Sequence, residues 1–297
     1  MAGKALLLKE DRILHYIILD LEWNAVYGTK IRGYINEIIE IGAVMLDGQC
    51  REIDSFSVLI KSQIGRRLQT RVKEMTNISK QDLDNGYPFA EAISMFRRWL
   101  GAREHVVLSW GDGDIRVLLS NTRYHTSSRA LSYLQNYADL QDYFRHRMHT
   151  SSSQQIGLAA AGELLGFDCA GYALHRALDD SRFAARCFQA IYEPEDFPAF
   201  VRACTPRFFA ELEYKPRVIS DINSPLVDPR QLYYVCRGCG RPARQVSEWR
   251  FASRGFQAEF YCQRCNLRVK AMVSFKKMYS SVEIKRSAKE LTMNNEQ

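Results

Sequence analysis

Two acids stand two residues apart at the end of an apolar run, Tyr16-Ile17-Ile18-Leu19-Asp20-Leu21-Glu22-Trp23. On a strand, Asp20 and Glu22 would share one face about 6–7 Å apart, with Leu19, Leu21 and Trp23 turned to a core. Acids on an apolar strand are costly to bury unless something compensates their charge. Divalent cations would do so, since Mg²⁺ takes oxygen ligands. The other reading is an edge strand with a solvated polar face. Far downstream comes His175-Arg176-Ala177-Leu178-Asp179-Asp180. A helix beginning near Leu178 leaves His175 on the loop before it and Asp180 in its first turn. A His there suits a general base, and Asp180 would be a further metal ligand. Asp179 reads as a helix-capping acid. A fourth acid is sought in Ser109-Trp110-Gly111-Asp112-Gly113-Asp114. Asp114 leads into a helix from a strand end, where open sheets place their sites, and Asp112 reads as a turn residue.

A second constellation is made of cysteines. Cys236-Arg237-Gly238-Cys239 and Cys262-Gln263-Arg264-Cys265 form two Cys-x2-Cys pairs separated by 22 residues. Two such knuckles complete a tetrahedral Zn²⁺ site, and a unit this small needs the ion structurally. A redox dithiol or free thiols are the alternatives. The segment also carries Arg237, Arg241, Arg244, Arg250, Arg254, Arg264, Arg268 and Lys270, interleaved with Tyr233, Tyr234, Trp249, Phe251, Phe256 and Tyr261. Basic groups with aromatics suit single-stranded nucleic acid, although those aromatics can equally build the ribbon's own core. Docking of a protein partner is a further use of such a ribbon. The other cysteines, Cys50, Cys169, Cys187 and Cys204, read as small buried thiols of a reducing compartment.

The elements that must position these residues follow from periodicity. Strands are expected at 15–23, 37–46 and 53–60, the last two joined as a hairpin through Asp47-Gly48. Phe89–Leu100 has helical spacing and ends at Gly101. A strand at 105–109 and helices from Ile115, over 156–165 and over 180–192 complete a mixed sheet flanked by helices. Six of eight prolines fall between 194 and 229, which reads as a connector with a short helix near 208–214. The expected division is 1–192, a linker over 193–230 and a ribbon with basic tail over 231–297. Between the two cysteine pairs, 246–251 and 256–261 read as strands.

Composition sets the outer limits. At 297 residues, 46% hydrophobic and 25% charged, the chain is an ordinary globular protein. No run approaches the ~18 apolar residues of a membrane helix. The N-terminal Ala5-Leu6-Leu7-Leu8 is too short for a signal-peptide core, so a cytoplasmic location is expected. Net charge is +7. Residues 230–297 hold 14 Lys/Arg against 5 Asp/Glu, so all the excess positive charge lies there and suggests a polyanionic partner.

In order, Asp-x-Glu, an internal Asp at a strand-to-helix junction and His-x4-Asp resemble the DEDDh branch of the DnaQ-like 3′-5′ exonucleases. Asn36-Glu37-Ile38-Ile39-Glu40-Ile41-Gly42-Ala43 resembles that family's second-strand signature, and Met75-Thr76-Asn77-Ile78 is similar to its Leu-Thr-Gly-Ile segment. Within the family, the Gly-rich, Trp-containing motif and Leu178-Asp179-Asp180-Ser181 are most similar to the histone-mRNA-end and small-RNA-trimming enzymes. The resemblance implies an RNase H-like fold with a mixed five-stranded sheet. It implies that Asp20, Glu22, Asp114 and Asp180 bind two Mg²⁺ or Mn²⁺ and that His175 deprotonates the attacking water. The segment Met75–Ile78 would cradle the terminal nucleotide of a nucleic acid with a free 3′ end, RNA favoured over single-stranded DNA. Asn77 replaces the usual Gly, and Asn tolerates the left-handed backbone required there. The rival reading is a catalytically silent nucleic-acid-binding or scaffold protein on the same fold.

Overall fold

The apolar run at the N-terminus extends into a strand longer than its hydrophobic core. The computed structural model describes residues 14–65, 67–150, 155–168 and 175–291. In it β1 (His15–Gly28) pairs antiparallel with β2 (Gly33–Leu46), which pairs with β3 (Glu52–Leu59). The β2–β3 turn is held by Asp47, whose Oδ1 accepts the N–H groups of Gln49 and Arg51. On the other side of β1, β4 (His105–Ser109) and β5 (Asn136–Asp139) run parallel to it. The sheet order is β3-β2-β1-β4-β5-β6. The expected count of five gains a sixth strand, the two-residue β6 (Arg202–Ala203).

Helices cover both faces of this sheet. In chain order they are α1 (Thr70–Thr76), α2 (Lys80–Asp84), α3 (Phe89–Leu100), α4 (Gly113–Thr126), α5 (Leu140–Arg147), α6 (Leu158–Leu164), α7 (Ala177–Ile191) and α8 (Pro206–Glu213). One core joins Leu19 and Leu21 with residues of α3, α4 and α8, and half-buried Trp23 packs against it. The opposite core joins Ile18 and Val44 with α5 and α7. The two sets alternate along β1, as a strand buried on both sides requires.

The proline-rich stretch is no bare connector. Its first part packs with the N-terminal unit, where Phe197 sits in the second core and Phe208, Phe209 and Leu212 in the first. The chain divides at 212/213, and the residues after that belong to a second unit. There β7 (Arg217–Val218) pairs with β11 (Leu267–Lys277), and Ile219 and Val227 enter the second unit's core. Prolines forbid long helices here but leave apolar residues free to anchor each half.

The second unit is built on β10 (Gly255–Cys262), β11 and β12 (Val282–Glu290), with β8 (Arg244–Gln245) and β9 (Arg250–Ala252) at the edge of β10. The single strand expected over 246–251 is broken in two. Ser247 Oγ accepts the Glu259 N–H, replacing a ladder bond with a side-chain bond. Among the described residues no helix is long and apolar enough to cross a membrane.

Candidate active site and cysteine centre

Strand alternation presents Asp20 and Glu22 on the face of β1 that α7 crosses. Opposite them in register stand Gly42 and Glu40 of β2. At Gly42 a Cβ would lie 2.1 Å from the Ala177 carbonyl carbon and 2.2 Å from the Leu178 nitrogen. Only glycine lets the start of α7 come so close. Ser181 Oγ, fully buried, donates to the Gly42 carbonyl at 3.0 Å and fixes the helix there.

The N-terminus of α7 is capped by a residue of another element. Its N-cap is Arg176, whose side chain makes no capping bond, and Asp179 in the first turn makes none either. The expectation for Asp179 is therefore corrected. Glu40, 1% exposed, accepts the Ala177 N–H at 3.2 Å and takes Arg176 bidentately at 2.7 and 3.0 Å. A carboxylate at that end of the helix satisfies an orphan N–H and the helix dipole together.

With α7 seated, Asp20, Glu22 and Asp180, all half-buried, bring ligand oxygens within 4.8 Å of one another. Asp114, in the first turn of α4, is buried and its Oδ1 accepts the Leu21 N–H at 3.0 Å. It is the strongest charged neighbour of Asp20. The turn before α4 is held by Ser109 Oγ and the Tyr137 hydroxyl, both donating to the Gly111 carbonyl. Asp112 stands aside in an ion pair with Arg116. His175 is exposed, has φ +78° and donates its backbone N–H to Asp180 Oδ2 at 3.1 Å.

Burial and mutual repulsion dominate the electrostatics. Burial, then Asp114, Asp180 and Glu22, push Asp20 well above the usual carboxylate range. Burial and the charges of Asp180, Glu40 and Asp114 raise Glu22 to about 8. Burial lifts Asp114 to about 7 although the Leu21 N–H opposes it, and raises Asp180 against the N–H of His175. The Arg176 guanidinium lowers Glu22, yet it is already paired with Glu40. This donor set of clustered oxygens with surplus negative charge fits divalent cations.

A further acid of β2, Glu37, shapes the surroundings together with Asn24 of β1; in the sequence Glu37 figures only in the second-strand signature and Asn24 in no motif. Glu37, 2% exposed, accepts the N–H groups of Gln63, Ile64 and Gly65. Asn24, also buried, binds the Arg67 carbonyl and the Gln69 N–H. Together they pin the loop that enters α1. The Met75–Ile78 segment closes that helix, with Thr76 and Ile78 buried and Met75 exposed. Asn77 is its C-cap in the left-handed region at φ +55°. Ile78 packs with Ile39, the extra residue of a β-bulge opposite the Glu22–Trp23 step.

The four cysteines of the second unit meet in one cluster with all sulfurs within 4.8 Å. Cys239 and Cys262 are 3.6 Å apart, close to the ~3.8 Å edge of a tetrahedron with ~2.3 Å Zn–S bonds and far from a disulfide. Each knuckle closes on a left-handed residue, Gly240 at φ +69° and Asn266 at φ +47°. The cluster fits a zinc ion.

A mixed sheet with acids midway along its central strand β1 and in the first turns of α4 and α7 has the RNase H-like architecture of the exonucleases. Residues 17–188, more than half of the chain, match the family model of the RNase T exonucleases, and the chain belongs to that exonuclease family. Over 200 residues it is 27% identical to ERI1 exoribonuclease 2 of Xenopus laevis, a match covering 60% of this chain and 28% of the frog protein. The chain thus spans little more than a quarter of that relative. Among solved structures, the 3′-exonuclease of a study on 3′-end recognition of the histone mRNA stem-loop has a TM-score of 0.55 at 18% identity, covering 65% of this chain and 87% of its own. The nuclease domain of 3′hExo, a DEDDh family member bound to rAMP, has 0.54 at 20%, covering 64% and 95%. Cell-death related nuclease 4 has 0.51 at 16%, covering 77% and 87%. At these identities the structures establish the shared fold.

Proposed function

We propose that the chain is a divalent-metal-dependent exonuclease that trims 3′ ends, acting on RNA in preference to DNA. The observation that carries the reading is the carboxylate cluster of Asp20, Glu22 and Asp180, with Asp114 charging Asp20 beside it. These four would hold two Mg²⁺ or Mn²⁺. Ions bound there would activate water and offset the charge developing on the phosphate and the leaving oxygen.

The remaining roles belong to the chain's own groups. His175, one residue before the α7 N-cap, takes the proton of the water that attacks the terminal phosphodiester. The bond between phosphorus and the 3′ oxygen of the penultimate nucleotide breaks, that oxygen keeps the electron pair, and a nucleoside 5′-monophosphate leaves. Exposed Met75 and the Asn77 turn, supported by Ile78 packed on Ile39, would hold the terminal nucleotide. The preference for RNA draws on the frog exoribonuclease and on the histone mRNA and rAMP structures. In the second unit Cys236, Cys239, Cys262 and Cys265 would hold one structural Zn²⁺.

The test offers 3′-labelled single- and double-stranded RNA and DNA with Mg²⁺ to the wild type and to Asp20→Ala. Stepwise release of 5′-monophosphates from RNA by the wild type alone is expected. Equal cleavage by both proteins would end the reading, and faster DNA trimming would reverse the preference.

A further inference from the structure

We propose that the open face of the second unit's sheet binds single-stranded nucleic acid, gripping its phosphates with basic side chains set in register across the strands. The choice of polyanion rests on the nuclease reading; the test below does not.

The two faces of this sheet differ in kind. Along β10 the residues Phe256, Ala258, Phe260 and Cys262 are buried, and with Val269, Ala271, Val273 and Phe275 of β11 they form the inner face. Trp249 and Tyr234 pack into the same interior, so most of the ribbon's aromatics are occupied in its core. The alternate residues make the outer face, and apart from Gly255 at the start of β10 none of them is buried. Pairing aligns them in rows. Arg244, Tyr261 and Arg268 stand side by side across β8, β10 and β11. The next row is Glu259, Lys270 and Lys289 across β10, β11 and β12. Beyond it Arg250 faces Gln257.

Charge on this face is one-sided. Its two acids are both engaged, Glu259 with Arg268 at 2.7 Å and Glu283 with Lys285 at 3.1 Å. Arg244, Arg250, Lys270 and Lys289 make no ion pair among the described residues. Rows about 6.7 Å apart on strands about 4.8 Å apart give a flat basic patch roughly 14 Å wide. Tyr261, flanked by two arginines and anchored through its hydroxyl to Asn266 at 2.7 Å, offers a ring to a base. An acidic protein partner would need apolar anchors at the centre of its interface, and the outer face offers little beyond half-buried Met272. Repeating positive charge with one stacking ring matches a repeating polyanion better.

The experiment measures binding of a fluorescent single-stranded oligoribonucleotide to the full chain carrying Asp20→Asn, which abolishes trimming of the probe. Arg244→Gln, Lys270→Gln and Lys289→Gln are combined and compared across salt concentrations. Each phosphate contact on a single strand contributes about −0.7 to the slope of log affinity against log salt. Losing three should flatten the slope by about 2 and weaken binding on the order of 100-fold at 0.1 M salt. Arg244→Lys, Lys270→Arg and Lys289→Arg together should keep both values, which separates charge from folding, with zinc content measured for each protein. An unchanged slope, an equal loss when Arg237, Arg254 and Arg264 are neutralised instead, or equal affinity for duplex RNA would overturn the proposal. Because cleavage is not the readout, a chain that binds in this way without degrading RNA would refute the nuclease reading and leave this one standing.

Discussion

Gly42→Ala is the sharpest probe of how the fold assembles its acids. The added methyl would sit 2.1 Å from the Ala177 carbonyl carbon and 2.4 Å from its oxygen. Ordinary carbon contacts lie near 3.5 Å, so the first turn of α7 must retreat by about 1.4 Å. Both obstructing groups are backbone, and no rotamer change relieves them. Overpacking of this kind costs about 1–3 kcal/mol, and the Ser181 bond to the Gly42 carbonyl is stretched with it. Asp180 rides on the same turn and leaves the cluster with Asp20 and Glu22. A misplacement of about 1 Å in a catalytic constellation can cost on the order of 10²-fold in rate. Single-turnover trimming of 3′-labelled RNA should fall by about that factor, while Mn²⁺ titration by calorimetry shows weaker binding. Thermal melting should drop by several degrees, yet leave a folded protein at room temperature. Wild-type rate and Mn²⁺ affinity in Gly42→Ala would refute the idea that α7 seating places Asp180.

Other perturbations read the same electrostatics. With Mg²⁺ and Mn²⁺ absent, the raised Glu22 and Asp114 make the unfolded chain the stronger acid at these two positions, so the stability they contribute is fullest below about pH 4 and is lost as pH climbs through about 7–8. Melting curves from pH 5 to 9 should show that decline, and added Mn²⁺ should remove most of it; a flat or rising profile without metal would contradict it. Asp20→Asn should raise the melting temperature in metal-free buffer at pH 8 while abolishing trimming, since it removes a buried charge among like charges. Glu40→Gln leaves Arg176 and the Ala177 N–H without their carboxylate, which costs about 1–3 kcal/mol and should slow trimming without changing the Zn²⁺ content measured by atomic absorption. Cys239→Ser should release the zinc and abolish melting of the second unit, as followed by near-ultraviolet signals of Trp249.

Legibility in the sequence tracked the range of the interactions. Strands such as β4 and helices such as α3 were readable to the residue because apolar periodicity and Gly101 are local signals. The short α1, α2 and α5 lacked the turns needed to reveal a period. Asp20 and Glu22 could be put on one face from strand alternation alone. Glu37 and Glu40 were equally visible as acids inside an apolar strand, but their partners lie 26 to 28 and 136 to 137 positions away. Nothing local distinguishes such an acid from a metal ligand. The same limit explains Asp179, where a first-turn acid looked like the cap and a strand residue across the fold performs that role.

Those distant partners explain why a strongly repulsive cluster survives in a folded chain. Two acids of the site are tied to backbone N–H groups rather than held by a counter-charge: Asp114 to that of Leu21 on β1, Asp180 to that of His175 just before α7. Glu40 in turn neutralises Arg176 and anchors the helix start, which ties up a guanidinium whose charge reaches Glu22. A free arginine there would satisfy the cluster and leave no demand for cations. By pairing Arg176 away, β2 keeps Asp20, Glu22 and Asp180 short of positive charge, and that shortage would supply the proposed affinity for divalent ions. Removing Glu40 is therefore expected to weaken Mn²⁺ binding as well as stability, because the released guanidinium would compete with the metal for the same oxygens.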